Sequence, residues 1–448
     1  MKRLFVYAAA LVILASSCGT GGSYSNMGEL TGVSKRKKYY EPEPFGMVFI
    51  PQGSFNVGPS DQDVAWAQNN FSKTVTVDAF WMDETEITNN EYRQFVFYVR
   101  DSIMRRMLGE QIEDFLITED EAGNAIEPPL INWDTKVDLK QEEQREAVKD
   151  LFYPEQERFW RRKDIDPRKL NYEYYWVDYK QAANKHNRYN FETKKYEGFV
   201  YNAQGEKVEI ANRSAFVMRD VVNVYPDTLC WIADFSYSFN EPLANMYFWH
   251  PAYDNYPVVG VTWKQASAFC IWRTKFLNDY LAAQGDIFVH DYRLPIETEW
   301  EYAARGGLDL AMYPWGGMYT RNYSGCFLAN FKPLRGNYSD DGGVTTVKVG
   351  TYEPNEYGLY DMAGNVAEWT CSAYDESSYA FTHDLNPDYK YNAKPDDPAT
   401  MKRKVIRGGS WKDIAYYIQV STRSYEYADS AKSYIGFRCV RTYLGNSN

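Results

Sequence analysis

Histidine and cysteine are scarce in this chain, which contains 4 and 6 of them in 448 residues. The histidines stand singly, at His186, His250, His290 and His383. No two cysteines have the CxxC spacing or another pattern typical of zinc ligands. The sequence therefore argues against a zinc site.

Basic residues are not in excess either, because 49 Lys and Arg stand against 61 Asp and Glu, for a formal net charge of −12. An acidic balance argues against general nucleic-acid binding, which depends on neutralising phosphates. A Gly-rich phosphate loop and a convincing Ser/His/Asp set are also missing. The hydrophobic content of 44% is sufficient for a sizeable buried core.

The run Leu4–Leu14 is apolar but too short to span a bilayer as a helix. It follows Met1-Lys2-Arg3 and precedes Ala15-Ser16-Ser17-Cys18, so residues 1–17 read as a secretory signal peptide. Small residues directly before Cys18 resemble the bacterial lipobox, which implies lipidation of that cysteine. The alternative is an ordinary signal peptide in which Cys18 is incidental.

The residues after Cys18 indicate where a lipidated chain would reside. Gly19 is not the aspartate that retains lipoproteins at the inner membrane, so the outer membrane is favoured. The following residues 20–26 form a flexible polar linker without the acidic run that resembles a surface-export signal. We expect anchoring at the periplasmic face of the outer membrane.

Five cysteines remain beyond Cys18, namely Cys230, Cys270, Cys326, Cys371 and Cys439. Disulfides persist in an oxidising compartment, but an odd number cannot all pair within one chain. At least one of the five is expected to be a free thiol or to be bonded to a partner.

Composition and periodicity divide the mature chain into a linker (18–44), a first region (45–99), a charged and aromatic insertion (100–254) and a long final region (255–443). Alternation predicts two short strands within 47–58. Thr88 or Asn89 caps a predicted helix whose apolar face carries Tyr92, Phe95, Val96, Val99, Ile103 and Met107, and Thr262 caps another. A third helix is expected around Trp300. The prediction is an α+β fold with little regular secondary structure.

Seven segments occur in the order typical of formylglycine-generating enzymes, the sulfatase-modifying family. They are Met47–Gly58, Trp81–Phe95, Tyr256–Trp263, Tyr292–Gly307, Gly358–Trp369, Arg407–Trp411 and Ile435–Cys439. Each is weak alone, but seven in register are specific, and the chain is identified as resembling that family. The resemblance implies a C-type-lectin-like variant with sparse strands and helices, interrupted here by the insertion, for which we expect a helical, charged character.

The same resemblance implies two structural calcium sites built from oxygen ligands. One would use Asn330, the Phe331 carbonyl and Asp341. The other would use Asp361, carbonyls near Met362, Gly364 and Val366, and the carboxylate of Glu368. The alternative is that Asn365 and Glu368 only satisfy the backbone of these loops.

A disulfide between Cys270 and Cys439 is also implied, because both match cysteines that are bridged in secreted members of the family. Such a bridge would constrain the unfolded chain and stabilise the fold by about 4–5 kcal/mol in the chain-entropy model. The alternative is two buried thiols.

The family's oxidase chemistry uses two cysteines shortly after the Gly-Gly-Ser-aromatic element to bind copper(I) as thiolates, since soft sulfur suits that ion. Here no cysteine occurs between Cys371 and Cys439, and the matching positions hold Asp413 and Ile418. We expect no copper and no enzymatic activity. Arg407, Arg423 and Arg438 are interpreted as braces that bond loop carbonyls.

A lipidated chain with a thiolate-free domain and a large insertion is similar to the GldK/PorK lipoprotein family of Bacteroidetes. That similarity implies a non-catalytic part of the periplasmic ring of the type IX secretion and gliding motility machinery. The partners would be further copies of the chain and a ring protein of the GldN/PorN type. The alternative is a periplasmic lectin-like lipoprotein that binds glycan or peptide.

Within the insertion, Asp138–Lys163 suggests a charged helix bearing an aromatic patch, which includes Phe159 and Trp160 beside several arginines. Aromatic side chains and arginine are enriched at interface hot spots. The alternative is that these aromatic residues only close the insertion onto the core.

Overall fold

A computed structural model describes residues 39–60, 71–120, 123–236, 242–334 and 336–445. The predicted signal peptide and the lipidation residue Cys18 lie outside these residues. Residues Pro44–Tyr443 form one compact unit.

Short strands dominate the described chain. They are β1 Met47–Ile50, β2 Gly53–Val57, β3 Lys73–Val77, β4 Phe80–Asp83, β5 Leu116–Glu119, β6 Ala125–Ile131, β7 Asn171–Val177, β8 Tyr189–Asn190, β9 Lys195–Tyr196, β10 Phe199–Tyr201, β11 Lys207–Glu209, β12 Val217–Asn223, β13 Tyr292–Arg293, β14 Ala367–Ala373, β15 Arg403–Arg407, β16 Ser424–Tyr427, β17 Ile435–Gly436 and β18 Val440–Thr442.

The α-helices of the described chain include three of nine residues or more. In chain order the helices are α1 Asn89–Gly109, α2 Glu142–Ala147, α3 Tyr179–Ala183, α4 Cys230–Asp234, α5 Pro242–Met246, α6 Trp263–Gln284, α7 Glu297–Arg305 and α8 Ser378–Phe381. The mixture of helix and sheet with little regular structure confirms the predicted fold class.

Two four-stranded sheets organise the unit. One has the order β1-β4-β18-β13, and its inner strand β4 is buried at all four positions. The other has the order β16-β15-β14-β17, with an irregular register between Trp369 and Ala373. The first sheet joins strands from both ends of the chain, so its register depends on contacts between distant residues, whereas the second sheet is built from residues 367–436 alone.

The two long helices begin at the predicted caps. Thr88 and Thr262 each accept a hydrogen bond from the third residue of their helix, whose side chain returns a bond to the cap, and this capping box satisfies otherwise free backbone N–H groups. The helices meet through aromatic side chains, and the rings of Tyr92 and Phe269 stack 5.6 Å apart. On the first helix, Met104 and Leu108 are buried, and Ile103 and Met107 only partly so.

The insertion differs from the helical prediction. Its regular structure is mainly four two-stranded ribbons, β5-β6, β7-β12, β8-β9 and β10-β11. Within Asp138–Lys163 a helix covers only Glu142–Ala147, followed by 3-10 turns at Lys149–Leu151 and Glu155–Glu157. Pro154 lacks a backbone N–H and disfavours helical geometry in the residue before it, which explains why one long helix does not form.

The insertion shares the main hydrophobic core. Helix α1 runs past residue 99, and insertion residues such as Leu151, Leu170, Tyr174 and Val224 pack in the same buried cluster as Tyr92. Because core residues stabilise a fold in proportion to their buried area, the insertion contributes to the stability of the whole unit.

Buried ion pairs hold together the loop-rich part of the chain that follows Arg305. Arg438 and Glu368 are fully buried, and Arg438 Nη2 lies 2.7 Å from Glu368 Oε1. The same guanidinium donates to the backbone oxygens of Asp83 and Tyr360, at 3.1 and 2.8 Å. It therefore joins a strand of the second sheet to the end of β4 in the first sheet and to the loop at Tyr360.

Replacing Arg438 with Met is expected to destabilise the protein by about 3–5 kcal/mol, because Glu368 would be left buried without its counter-charge. The double variant Arg438→Met/Glu368→Gln should recover part of the loss. Urea unfolding followed by circular dichroism measures both. Equal stability of the single variant and the wild type would show that this pair does not support the fold.

Candidate functional site

The two positions that match the family's copper ligands have no sulfur. Asp413 Oδ2 accepts a hydrogen bond from Ser410 Oγ at 2.6 Å, and burial raises the pKa of the Asp413 carboxyl. Ile418 is fully buried and packs with Phe331 and Ala363. One position is thus a capped carboxyl and the other belongs to the core. Neither can bind copper(I) as a thiolate does.

A segment of the insertion covers the adjoining Gly-Gly-Ser-Trp loop. The ring of Trp411 is stacked on Trp231 at 6.1 Å and on Phe235 at 6.4 Å between ring centroids. Trp231 lies on α4 and is buried. Asp234, at the end of the same helix, pairs with Lys412 and accepts a hydrogen bond from Ser433. Aromatic stacking and an ion pair therefore close this face of the domain.

The loop at Asp361–Val366 is unusually tight. Asp361, Gly364 and Asn365 have φ values of 56°, 79° and 58°, in the left-handed region that costs energy for residues with a side chain. A Cβ on Gly364 would lie 2.2 Å from the backbone oxygen of Asn330, so only glycine fits. The loops of the two predicted calcium sites are therefore in direct contact.

Three buried carboxyl groups meet near this loop with one positive charge. Both oxygens of Glu368 already accept hydrogen bonds, from the Arg438 guanidinium and from Trp300 Nε1, which donates at 2.8 Å. Glu86 accepts from the Asn365 side chain at 2.6 Å and from Val366 N at 3.1 Å. Burial, and then the charges of Asp361 and Glu368, raise the pKa of Glu86 well above its usual range.

Asp361 is the member of this cluster with an oxygen to spare. Its Oδ2 accepts from Gly350 N at 2.7 Å, whereas its buried Oδ1 has no hydrogen-bond partner within the described residues. Burial raises the pKa of its carboxyl to about 6. A buried acceptor without a partner is costly, so this oxygen is suited to hold a cation.

The first predicted calcium site fits less well. Asn330 Oδ1 is buried and also unpartnered among the described residues. Asp341, however, already accepts from Phe331 N at 2.6 Å and from Gly343 N at 3.2 Å, and burial raises its pKa. The Asn330 oxygen could join a cation, but the Asp341 carboxylate is occupied by backbone donors.

Calcium at either place would depend on backbone oxygens as much as on side chains. No group of three or more His, Cys, Asp and Glu arranged to hold a metal occurs in the described part of the chain. The residues that would hold calcium are Asp361 with the carbonyls of Met362, Gly364 and Val366, and Asn330. The ion would supply positive charge to the carboxyl cluster. Glu368 is excluded as a free ligand because Arg438 occupies it.

The structure places Cys270 and Cys439 side by side in the main core, with the sulfur atoms 3.5 Å apart as thiols. Their disulfide stays a prediction. Cys230 is also buried, Cys371 is partly buried and Cys326 is exposed.

Sequence reasoning missed Glu86 and underrated Asn365. Glu86 lies in the Trp81–Phe95 segment, where the only sequence signal is a local excess of acidic residues. Its hydrogen bond to Asn365 spans 279 positions. The predicted braces Arg407, Arg423 and Arg438 do bond loop carbonyls, but each also pairs with a buried carboxylate, which the sequence did not indicate.

Two small sheets, two capped helices and a loop-rich C-terminal part thus define an α+β protein. The positions that match the family's copper-binding cysteines hold other residues. Residues 33–443 match the model of the sulfatase-modifying factor enzyme 1-like domain, and the chain belongs to that family.

The relatives include active and inactive proteins. Inactive Cα-formylglycine-generating enzyme 2 of Bos taurus is 35% identical over 191 residues, which are 41% of this chain and 50% of that protein. Formylglycine-generating enzyme of Mus musculus is 33% identical over 196 residues, 42% of this chain and 45% of that protein. The chain spans about half the length of the curated relatives it matches.

Among solved structures, PvdO from Pseudomonas aeruginosa aligns with a TM-score of 0.43 at 16% identity, covering 89% of this chain and 94% of that chain.

In the described part of the chain, no helix is long and apolar enough to cross a membrane.

Replacing Asp361 with Asn tests whether this loop is a cation site or an ordinary hydrogen-bonded turn. The raised pKa means that the folded state holds a proton on Asp361 more tightly than the unfolded state. The proton on Asp361 therefore stabilises the fold fully below about pH 4, and this stabilisation is lost as pH rises through about 6. After chelation at pH 7.5, the Asn variant should be more stable than wild type by about 3 kcal/mol.

With calcium restored, the order should reverse, because an ion bound only by the folded wild type stabilises it by mass action. Melting temperatures at several calcium concentrations measure the crossover. The exposed Asp396→Asn is the matched control and should respond to neither chelator nor calcium. A wild type indifferent to calcium would leave Asp361 as an ordinary turn residue.

Proposed function

We propose that this chain is a non-catalytic lipoprotein, anchored through Cys18 at the periplasmic face of the outer membrane. There it builds the periplasmic ring of a type IX secretion and gliding motility machine, from further copies of itself and a ring protein of the GldN/PorN type. The observation that carries the non-catalytic part is the replacement of both sulfur ligands, by a carboxyl capped by Ser410 and by an isoleucine in the core.

Coverage of the Gly-Gly-Ser-Trp loop supports the same proposal. A substrate peptide would have to reach the neighbourhood of Trp411, where Trp231 and Phe235 of the insertion are already stacked. Displacing the buried ring of Trp231 would expose its apolar surface to water, and re-exposing a large apolar side chain costs about 1.5–3 kcal/mol. A face closed in this way favours a structural role.

Purified protein supplied with copper and a sulfatase-type cysteine peptide is expected to yield no formylglycine, since the chain offers no thiolate pair for copper(I). Mass spectrometry of the peptide is the measurement, and an active formylglycine-generating enzyme run in parallel is the control. Formylglycine in the product would end the non-catalytic proposal.

The β7-β12 ribbon offers an edge for assembly. Asp178 N donates to Phe216 O and Val224 N donates to Leu170 O, each at 2.9 Å, at the two ends of the ribbon. Because hydrogen bonding alternates along an antiparallel pair, the backbone groups of Arg219 point away from β7. Within the described residues, the Arg219 N–H has no hydrogen-bond partner.

A groove of about 380 Å³ runs beside this edge, between β12 and the β10-β11 ribbon. Its lining includes Val200, Val208, Val217 and Val221, of which the last three are exposed. An unpaired strand edge next to apolar side chains is the arrangement that accepts an added strand. We therefore place a protein contact of the ring at the outer edge of β12.

Replacing Arg219 with Pro should disrupt assembly while preserving the fold, because proline removes an outward N–H that β7 does not use. Arg219→Ala is the matched control: it loses the ion pair to Glu173 equally but keeps the N–H. We expect high-molecular-weight assemblies and cargo export to fail in the Pro variant and to persist in the Ala variant. Light scattering after size exclusion and cargo secretion are the measurements.

Assembly and export by a folded Arg219→Pro variant would remove the β12 edge from the proposal. Deleting the insertion is a poorer test, because Leu151, Tyr174 and Val224 belong to the main core and their loss would unfold the protein.

A glycan-binding role is the second candidate, favoured by a cleft of about 360 Å³. Tyr374, Tyr389 and Tyr391 line it together with Asp375 and Arg403. Aromatic faces beside carboxylate and guanidinium groups suit a sugar, whose ring stacks and whose hydroxyls form hydrogen bonds. Specific glycan binding that is lost on Tyr374→Ala, together with normal export, would favour this candidate over the ring.

A further inference from the structure

Residues 151–166 of the insertion form a finger with an ordered base. Phe152 and Ile165 make an antiparallel bridge. Tyr153 N donates to Asp164 O at 3.1 Å, and Asp166 N donates to Leu151 O at 3.0 Å. Leu151 and Asp166 are buried. The base is thus fixed by backbone hydrogen bonds and by the core.

Arg168 and Arg158 stiffen the two legs of the finger. Arg168 pairs with Asp166 at 2.8 Å and also with Glu157 on the opposite leg. Arg158 turns back toward the base and donates from Nε to Tyr153 O at 2.9 Å. The tip is therefore presented on a braced support.

The tip carries two aromatic side chains that face solvent. Phe159 and Trp160 are each 84% exposed. A turn closes the tip, with Arg162 N donating to Phe159 O at 3.4 Å and with Trp160 at a φ of 58°, a value that large side chains rarely adopt. Two adjacent exposed rings gain nothing from the fold itself, so an external apolar phase would stabilise them.

Basic residues follow the rings directly. Arg161, Arg162 and Lys163 are all exposed. Arg162 lies 3.5 Å from Asp164, whereas Arg161 and Lys163 have no ion pair within the described residues. In a chain of net charge −12 this is a local positive collar behind an aromatic tip.

We propose that this finger inserts its tip into the interface of an anionic phospholipid membrane. Aromatic rings favour the boundary between headgroups and acyl chains, and the basic collar would lie among the anionic headgroups just above it. A protein partner is less suited, because a stable protein interface buries about 1,200–2,000 Å² in total, more than the tip of a finger offers. The membrane contact requires neither the ring nor the acyl anchor.

The test uses the mature chain from residue 18 with Cys18→Ser, so that no acyl group contributes to binding. Sedimentation is measured with vesicles of phosphatidylethanolamine and phosphatidylglycerol, and with vesicles of phosphatidylcholine alone. Phe159→Ser/Trp160→Asn removes the rings, and asparagine tolerates the left-handed position of Trp160. Arg161→Glu/Lys163→Glu reverses the collar.

Both double variants should bind the anionic vesicles at least tenfold more weakly than the parent, and binding should fall with added salt. The parent should prefer the anionic vesicles over the phosphatidylcholine ones. Phe191→Ser is the matched control, since Phe191 is 85% exposed on another loop of the insertion. It should bind as the parent does, as should Arg219→Pro, whose defect concerns assembly.

Unchanged vesicle binding by the tip variants, or an equal loss in Phe191→Ser, would overturn the proposal. Smaller assemblies with unchanged vesicle binding would instead assign the tip to a protein partner. Because Arg219→Pro tests the ring and the vesicles test the finger, either proposal can fail without the other.

Discussion

Burial of guanidinium–carboxylate pairs is the constraint on which the rest of this structure depends. Among the described residues between Arg305 and Ala367 there is no helix and no named strand, so regular backbone hydrogen bonding alone cannot fix that segment. Arg407 pairs with Glu301, Arg423 with Glu297 and Arg438 with Glu368, all buried or nearly so. Each arginine also bonds loop carbonyls, and an unsatisfied buried group would cost about 1–3 kcal/mol.

This bracing separates the fold of the family from its oxidase chemistry. The copper-binding positions can become Asp413 and Ile418 because neither is part of the arginine network. The carboxyl cluster of Glu86, Asp361 and Glu368 is different, since among the described residues Arg438 is the one cation that opposes it directly and one Asp361 oxygen has no hydrogen-bond partner. Structural calcium would serve the fold there, independently of any reaction.

The insertion gives the domain new surfaces while sharing its core. Leu151 and Tyr174 are buried with the long helices, whereas the β12 edge and the tip at Phe159 and Trp160 face outward. The exposure of those two rings excludes the interpretation that they close the insertion onto the core. Because the base of the insertion packs in the core, the proposed protein-binding edge and the proposed membrane-binding tip would be held at fixed positions.

The sequence by itself determined what depends on neighbours along the chain or on composition. The caps at Thr88 and Thr262 are local hydrogen-bond arrangements, and the absence of cysteine near Asp413 and Ile418 needs no coordinates. The seven family segments indicated the fold class, because they can be recognised by their residues and their order along the chain.

Only the tertiary structure decided what depends on residues far apart. Glu86 meets Asn365 across 279 positions, and no periodicity encodes such a contact. Asp138–Lys163 has the charge pattern of a helix, yet Pro154 and packing against the core turn it into a finger. Exposure of Phe159 and Trp160 was likewise undecided, because an aromatic side chain is equally compatible with a core and with a surface until its neighbours are known.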